Sequence, residues 1–261
     1  MEKDKWNSFA GDFQRVYRMG LHDYDTGLLN FLQRSARTGP GCRVLDIGCG
    51  VGKYAVCLAR AGCDVTLLDS AEEMLAPAAE NLEAAGIPAD RWRTVCCDFH
   101  QVSGSEALWQ NGFDLSICTM SPAVCDPDTV QTMSRMTHGL CFVAKFLDSR
   151  QRCREELLQG LVPAPRALFT RHMRESCAAV TEAVREAGYS PQCRTVPYTW
   201  SDRRTPAEFA DYVYRHYLAD TDPDGTLREA VFSRAAALHA DTLEDRVETQ
   251  VQWIFWTTVI E

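Results

Sequence analysis

The sequence predicts an α/β protein on a doubly wound, mostly parallel seven-stranded sheet, with N-terminal helices, a helical insertion before the last strand and a C-terminal antiparallel hairpin. Two observations carry most of this. From Cys42 onward, short runs rich in β-branched and apolar residues alternate with longer amphipathic stretches, the pattern of a parallel sheet covered by helices. Two late strand patterns, separated by a helix-rich stretch, then suit an antiparallel hairpin added to that sheet.

Strands are expected at 43–47, 64–69, 93–97, 114–119 and 140–146, and the late pair at 193–200 and 247–256. Helices are expected at 52–61, 71–85 and 127–137, with Gly62 and Gly86 where two of them stop. Residues 1–41 form an N-terminal helical cap carrying Trp6, Phe9, Phe13, Tyr17 and Tyr24, and Thr-Gly-Pro-Gly at 38–41 marks the junction. Further helical runs fall at 151–160 and 173–187, and the insertion covers about 205–243. No repeat and no Pro/Gly-rich linker interrupts 42–261, so these residues are expected to make one domain with the insertion packed on it.

Composition narrows the function. A length of 261 residues suits one large domain, and 46% hydrophobic with 24% charged residues is ordinary for a folded protein. The formal net charge of -9 disfavours nucleic acid as the main partner, because gripping phosphates needs clustered Lys and Arg. A small-molecule or protein substrate is favoured. The local exception is Arg150, Arg152, Arg154, Arg166, Arg171 and Arg174, read as a solvated basic face before an anion site. The segment MEKDKWN has no apolar stretch of a signal peptide, so the twelve cysteines are read as thiols and the location as cytoplasmic. The adjacent Cys96 and Cys97 are expected to be small buried hydrophobes. No Cys-x-x-Cys and no acidic cluster stands out, so no metal is expected, and no apolar run reaches the roughly 20 residues of a membrane span.

The chemistry concentrates in one turn. A buried strand ending in Asp46 and Ile47 runs into Gly48-Cys49-Gly50-Val51-Gly52 and then a helix, the place where open α/β sheets bind ligands. Glycines at alternate positions let the backbone turn sharply and approach a ligand, and the helix start offers free N–H groups. A dinucleotide fingerprint would need its third glycine at position 53, which is Lys53. The carboxylate of Asp46 suits an ammonium group and would repel a pyrophosphate. Asp69, ending the second strand, can accept from ribose hydroxyls, and Asp98 with Phe99 ends the third. The fourth strand leads through Thr119 into Met120-Ser121-Pro122-Ala123, at the expected substrate edge.

Asp46-x-Gly-x-Gly-x-Gly52, Asp69, Asp98-Phe99 and Phe113-Asp114, in this order, resemble the class I S-adenosylmethionine-dependent methyltransferases, over about residues 43–147. The resemblance implies a Rossmann-like sheet, S-adenosylmethionine as cofactor and S-adenosylhomocysteine as product. It places the methionine part on Gly48, Gly50 and Gly52, the ribose on Asp69 and adenine on Asp98. Asp46, Cys49, Ser70, Met74, Phe99 and Thr119 complete the expected cofactor site. Phe13, Tyr17, Ser121, Pro122 and Tyr198 are expected at the acceptor, and the N-terminal helix is expected to act as a lid.

Methyl transfer from a sulfonium is an in-line displacement on an activated donor, so positioning supplies much of the catalysis and a general base is optional. His22, His100, Asp126 and Tyr198 are candidates for proton handling, and none is assigned as catalytic. Residues 119–123 lack the Asn/Asp-Pro-Pro-aromatic pattern of amide and nucleobase amino methylation and the Pro-Cys pair of cytosine-carbon enzymes. Cys125 nearby is read as structural. The expected function is methyl transfer to a small molecule. The alternatives are a non-catalytic cofactor-binding module and methylation of tRNA or another anionic polymer; an NAD-dependent oxidoreductase is disfavoured by Lys53 and Asp46.

Overall fold

The computed structural model describes residues 2–102 and 112–258. The chain divides into two compact units, one of Met1–Lys145, Glu175–Val196 and Gln252–Glu261, the other of Phe146–Arg174 and Pro197–Val251.

The first unit holds most of the sheet predicted from sequence. Two helices, α1 (Glu2–Arg18) and α2 (Asp23–Ala36), precede β1 (Arg43–Ile47), α3 (Lys53–Arg60), β2 (Asp64–Asp69), α4 (Glu72–Ala84), β3 (Trp92–Cys96), β4 (Phe113–Thr119), α5 (Pro127–Met136) and β5 (Thr137–Arg150). After α6 (Arg152–Leu158), α7 (Pro165–Thr170) and α8 (Met173–Glu186) come β6 (Gln192–Arg204), α9 (Pro206–Tyr217), α10 (Thr226–Ala236) and β7 (Leu243–Thr257). The strand order is β3-β2-β1-β4-β5-β7-β6, mostly parallel, with an antiparallel pair. Chain direction across the sheet reverses between β1 and β4, which makes a crevice at their C-terminal ends.

Register explains the burial. Val44 lies opposite Val65 on one side and Leu115 on the other, so the centre of the sheet is apolar on both faces. Ile47, Leu68, Val143, Val180, Val184 and Trp256 share one buried cluster, so α8 closes one face of the sheet. On α2, Phe31 packs against Phe142, Trp253 and Phe255, and Tyr24 accepts a 2.9 Å hydrogen bond from Trp253 Nε1.

Three strands outrun their predicted ends: β5 spans fourteen residues, β6 thirteen and β7 fifteen. Asp148, Ser149 and Arg150 continue β5, and Asp202, Arg203 and Arg204 continue β6, because ladder hydrogen bonds use backbone alone. All twelve cysteines are free thiols. Cys96 corrects its expected burial: it is exposed because β3 is an edge strand. Among the described residues no helix is long and apolar enough to cross a membrane.

The second unit has its own core of Leu158, Phe169, Phe209, Val213, Leu218 and Val231. Thr205 starts α9 with a reciprocal cap: it accepts from Glu208 N, and Glu208 Oε2 accepts from Thr205 N at 2.8 Å. Arg154 is buried here. It donates to Asp245 Oδ2 at 2.6 and 2.8 Å, to Gln151 Oε1 and to Tyr217 Oη, and its guanidinium lies 4.7 Å from the Tyr212 ring centre. Arg166 and Arg174 both reach Asp148. The basic run of the sequence is therefore three different environments: a buried ion pair, a carboxylate-paired set and the exposed Arg150, Arg152 and Arg171.

Candidate cofactor site

The turn after β1 is shaped by its glycines. Gly48, Gly50 and Gly52 have φ of 65°, 53° and 78°, the left-handed region that side chains resist. Gly48 N and Cys49 N both donate to Leu68 O, at 2.7 and 3.1 Å, which ties the turn to the end of β2. A Cβ on Gly48 would lie 2.0 Å from Ser121 Oγ, so the loop after β4 rests directly on this turn. A Cβ on Gly50 would meet nothing within 4 Å. The Cβ direction at Gly50 thus points into open space.

Three carboxylates stand around this turn in different states. Asp46 is 1% exposed, and its Oδ1 has no hydrogen-bond partner. Burial, and then the neighbouring charge of Asp69, push its carboxyl up to about 7, against the pull of the Ala55 backbone N–H. Asp69 holds the loops together: Oδ2 accepts from Gly50 N and Oδ1 from Ala71 N, each at 2.9 Å. Burial raises its carboxyl too, partly offset by those N–H groups. Asp98 is half exposed and caps a short turn, its Oδ1 accepting from His100 N at 3.0 Å.

The remaining predicted residues are also placed. Ser70 is half-buried and Phe99 buried. Cys49 is buried, which pushes its thiol well up. Met74 is buried with Phe9, Val51 and Ala71, and Trp6, Ala10 and Tyr17 pack on that cluster, so α1 covers both the glycine turn and α4. A Gln14–Asn81 amide pair at 2.9 and 3.0 Å fastens α1 to α4, and Asn81 also donates to Val51 O inside the turn. Phe13 is exposed beside Trp6. Thr119 and Ser121 are half-buried and Pro122 is exposed. Tyr198 belongs to the second unit, stacked 4.6 Å from Trp200. His22 turns toward Asp25, 3.3 Å from its Oδ2.

Sequence reading missed Lys145 and Asp25 here, and named Met120 only as part of the stretch after the fourth strand. Lys145, on β5, is 6% exposed and donates to Ser121 O at 2.6 Å, so it supports the loop after β4. Met120 adopts φ of 54° at that loop, a strained conformation of the kind that gathers at functional sites. Asp25 is fully buried and accepts from Lys53 Nζ at 2.6 Å and Tyr54 Oη at 2.7 Å. Burial alone would raise Asp25, and the bonds from Lys53, His22 and Tyr54 more than offset it, so its carboxyl is lowered. Only the Met120-Ser121-Pro122-Ala123 segment carried a local signal, as the stretch after the fourth strand. The others are assembled by topology.

The comparisons agree with this architecture. Residues 44–140 match the methyltransferase domain family model. The ubiquinone biosynthesis O-methyltransferase of Actinobacillus pleuropneumoniae serotype 7 is 35% identical over 100 residues, covering 38% of this chain and 42% of that protein. The protein of that name from Photorhabdus laumondii is 38% identical over 127 residues, 48% of each chain. The matched part is thus less than half of each of these relatives. Among solved structures, a putative type II methyltransferase from Anaeromyxobacter dehalogenans has a TM-score of 0.54 at 15% identity, covering 90% of this chain and 97% of that one. A putative sarcosine dimethylglycine methyltransferase from Galdieria sulphuraria has 0.52 at 16%, covering 91% and 86%. These two likenesses are of fold. The matched methyltransferase domain runs from β1 to the start of β5 and includes the glycine turn at the sheet's reversal and the acids ending β2 and following β3.

Proposed function

We propose that the protein transfers a methyl group from S-adenosylmethionine to a small-molecule acceptor. The observation that carries this is Asp46. A buried carboxylate oxygen without a partner, beside a glycine turn that faces open space, fits a cationic ligand group. The α-ammonium of S-adenosylmethionine is such a group. Asp69 keeps lone pairs for ribose hydroxyls after its two backbone bonds, and Asp98 keeps Oδ2 for an adenine amine. Met74 and Phe99 supply apolar surface beside these acids, while Cys49, Ser70 and Thr119 border them. When bound, the cofactor supplies an activated methyl group on a sulfonium.

What this chain contributes is placement. The loop of Ser121 and Pro122, held by Lys145 and by its contact with Gly48, presents the acceptor side, and α1 with Phe13 and Tyr17 shields the cofactor from water. The O-methyltransferase relatives make oxygen acceptors the first to screen. With every cysteine a free thiol, as reducing compartments keep them, we place the protein in the cytoplasm.

The test is calorimetric titration with S-adenosylmethionine and, separately, NADH. It is followed by transfer of labelled methyl to low-molecular-mass extract and to tRNA. Cofactor binding with label in the small-molecule fraction is expected; binding of NADH alone would overturn the reading. Label on tRNA would move the acceptor to a polymer.

A further inference from the structure

Beyond the glycine turn, the loops after β3 and β4 bring together His100, Cys125 and Asp126. Their ligand atoms form a small triangle. His100 Nε2 lies 3.7 Å from Cys125 Sγ and 3.4 Å from Asp126 Oδ2, and Cys125 Sγ lies 3.8 Å from Asp126 Oδ2. In a tetrahedral zinc centre with ordinary bond lengths, such N, S and O atoms stand about 3.4 to 3.6 Å apart. The observed edges agree with this to within ~0.2 Å, the tolerance expected of a real site. The nearest point equidistant from the three atoms lies in their plane about 2.1 Å from each, so a cation slightly above that plane reaches all three at about zinc bond lengths.

The histidine is also oriented. His100 Nδ1 lies 3.2 Å from Asp98 Oδ1, so the Nδ1–H donates to the carboxylate and the Nε2 lone pair faces Cys125 and Asp126. A carboxylate behind a histidine is the usual outer support of a metal-bound imidazole. Asp126 is fixed from the other side, because its Oδ1 caps α5 by accepting from Thr129 N at 2.8 Å, leaving Oδ2 in the triangle. His100 and Asp126 are therefore each held by a partner that is not itself a ligand.

We propose that His100 Nε2, Cys125 Sγ and Asp126 Oδ2 bind one zinc-type divalent cation, with Asp98 orienting the histidine. The mixed nitrogen, sulfur and oxygen set suits zinc over magnesium or calcium, which take oxygen ligands. All three ligands are at least partly exposed, so the fourth position opens to solvent, as in zinc sites that take a water or a substrate oxygen. The site does not depend on the cofactor reading, since only Asp98 is common to both and it offers a different oxygen to each.

The test uses cobalt(II) as a spectroscopic stand-in, added to full-length protein freed of metal by a chelator. The expected result is uptake of one cobalt per chain with tetrahedral visible bands and a thiolate-to-cobalt charge-transfer band, both removed by zinc. Cys125→Ser should abolish the charge-transfer band, and His100→Gln should weaken binding at least tenfold. Asp126→Asn should do the same while keeping the helix start, because asparagine caps as well as aspartate. A charge-transfer band that survives Cys125→Ser, or no cobalt uptake by folded wild-type protein, would overturn the proposal.

Discussion

At the scale of residues, the glycine turn separates two kinds of constraint. Gly48 is fixed by its neighbours, whereas Gly50 is constrained only by its left-handed backbone. Gly48→Ala places a methyl group against Ser121 and adds left-handed strain of about 1–2 kcal/mol, so it should lower the melting temperature and the cofactor affinity together. Gly50→Ala adds the same strain with no clash, so the protein should stay folded while calorimetric affinity for S-adenosylmethionine falls at least tenfold. Equal affinity in Gly50→Ala would place the cofactor elsewhere.

Asp46 makes a second residue-scale prediction, with a definite sign. Its folded carboxyl is raised to about 7, so between the ordinary carboxylate range and that value the folded state holds a proton the unfolded chain has lost. Stability should therefore fall as pH rises through this window, with a limiting slope of about 1.4 kcal/mol per pH unit, and flatten above it. Asp46→Asn should remove this component of the slope in denaturation series. An arriving ammonium favours the ionised form, so wild-type protein should release part of a proton on binding near neutral pH. Calorimetry in two buffers of different ionisation heat reads that release, and Asp46→Asn should show none.

At the scale of elements, α1 is the piece whose role the packing sharpens. It buries Phe9 against the glycine turn and α4, and Gln14 with Asn81 fastens it there. Phe9→Ala should cost about 3–4 kcal/mol in chemical denaturation, as for a large buried aromatic. Deleting residues 2–20 should weaken S-adenosylmethionine binding; a folded truncation with unchanged affinity would reject the lid. This element was legible because its aromatic residues recur at helical spacing. The strands β1 to β4 were legible for the same local reason, and so was the turn, whose residues are contiguous. The ends of β5 and β6 were not, since Asp148 and Asp202 carry no apolar signal. Nor was the histidine–cysteine–aspartate triangle, whose members lie on two loops and meet only because α5 starts at the end of the loop after β4.

At the scale of the whole molecule, two units each enclose an apolar cluster of their own. A single two-state unfolding transition is then not expected. Calorimetric scans should give more heat than the van't Hoff value, and S-adenosylmethionine should raise the transition that belongs to the sheet unit. The second unit carries its own marker in Arg154, whose guanidinium is buried on Asp245 and among Tyr212 and Tyr217. Arg154→Met removes one partner and leaves the Asp245 charge buried without compensation, a loss of about 3–5 kcal/mol. Asp245 already has one oxygen without a partner, so nothing nearby takes over the missing bonds. The double change Arg154→Met with Asp245→Leu deletes both charges and should recover most of the loss. If the single variant melts like the wild type, the pair contributes nothing measurable. If the double variant is no better than the single, the loss comes from packing on the tyrosines and not from charge.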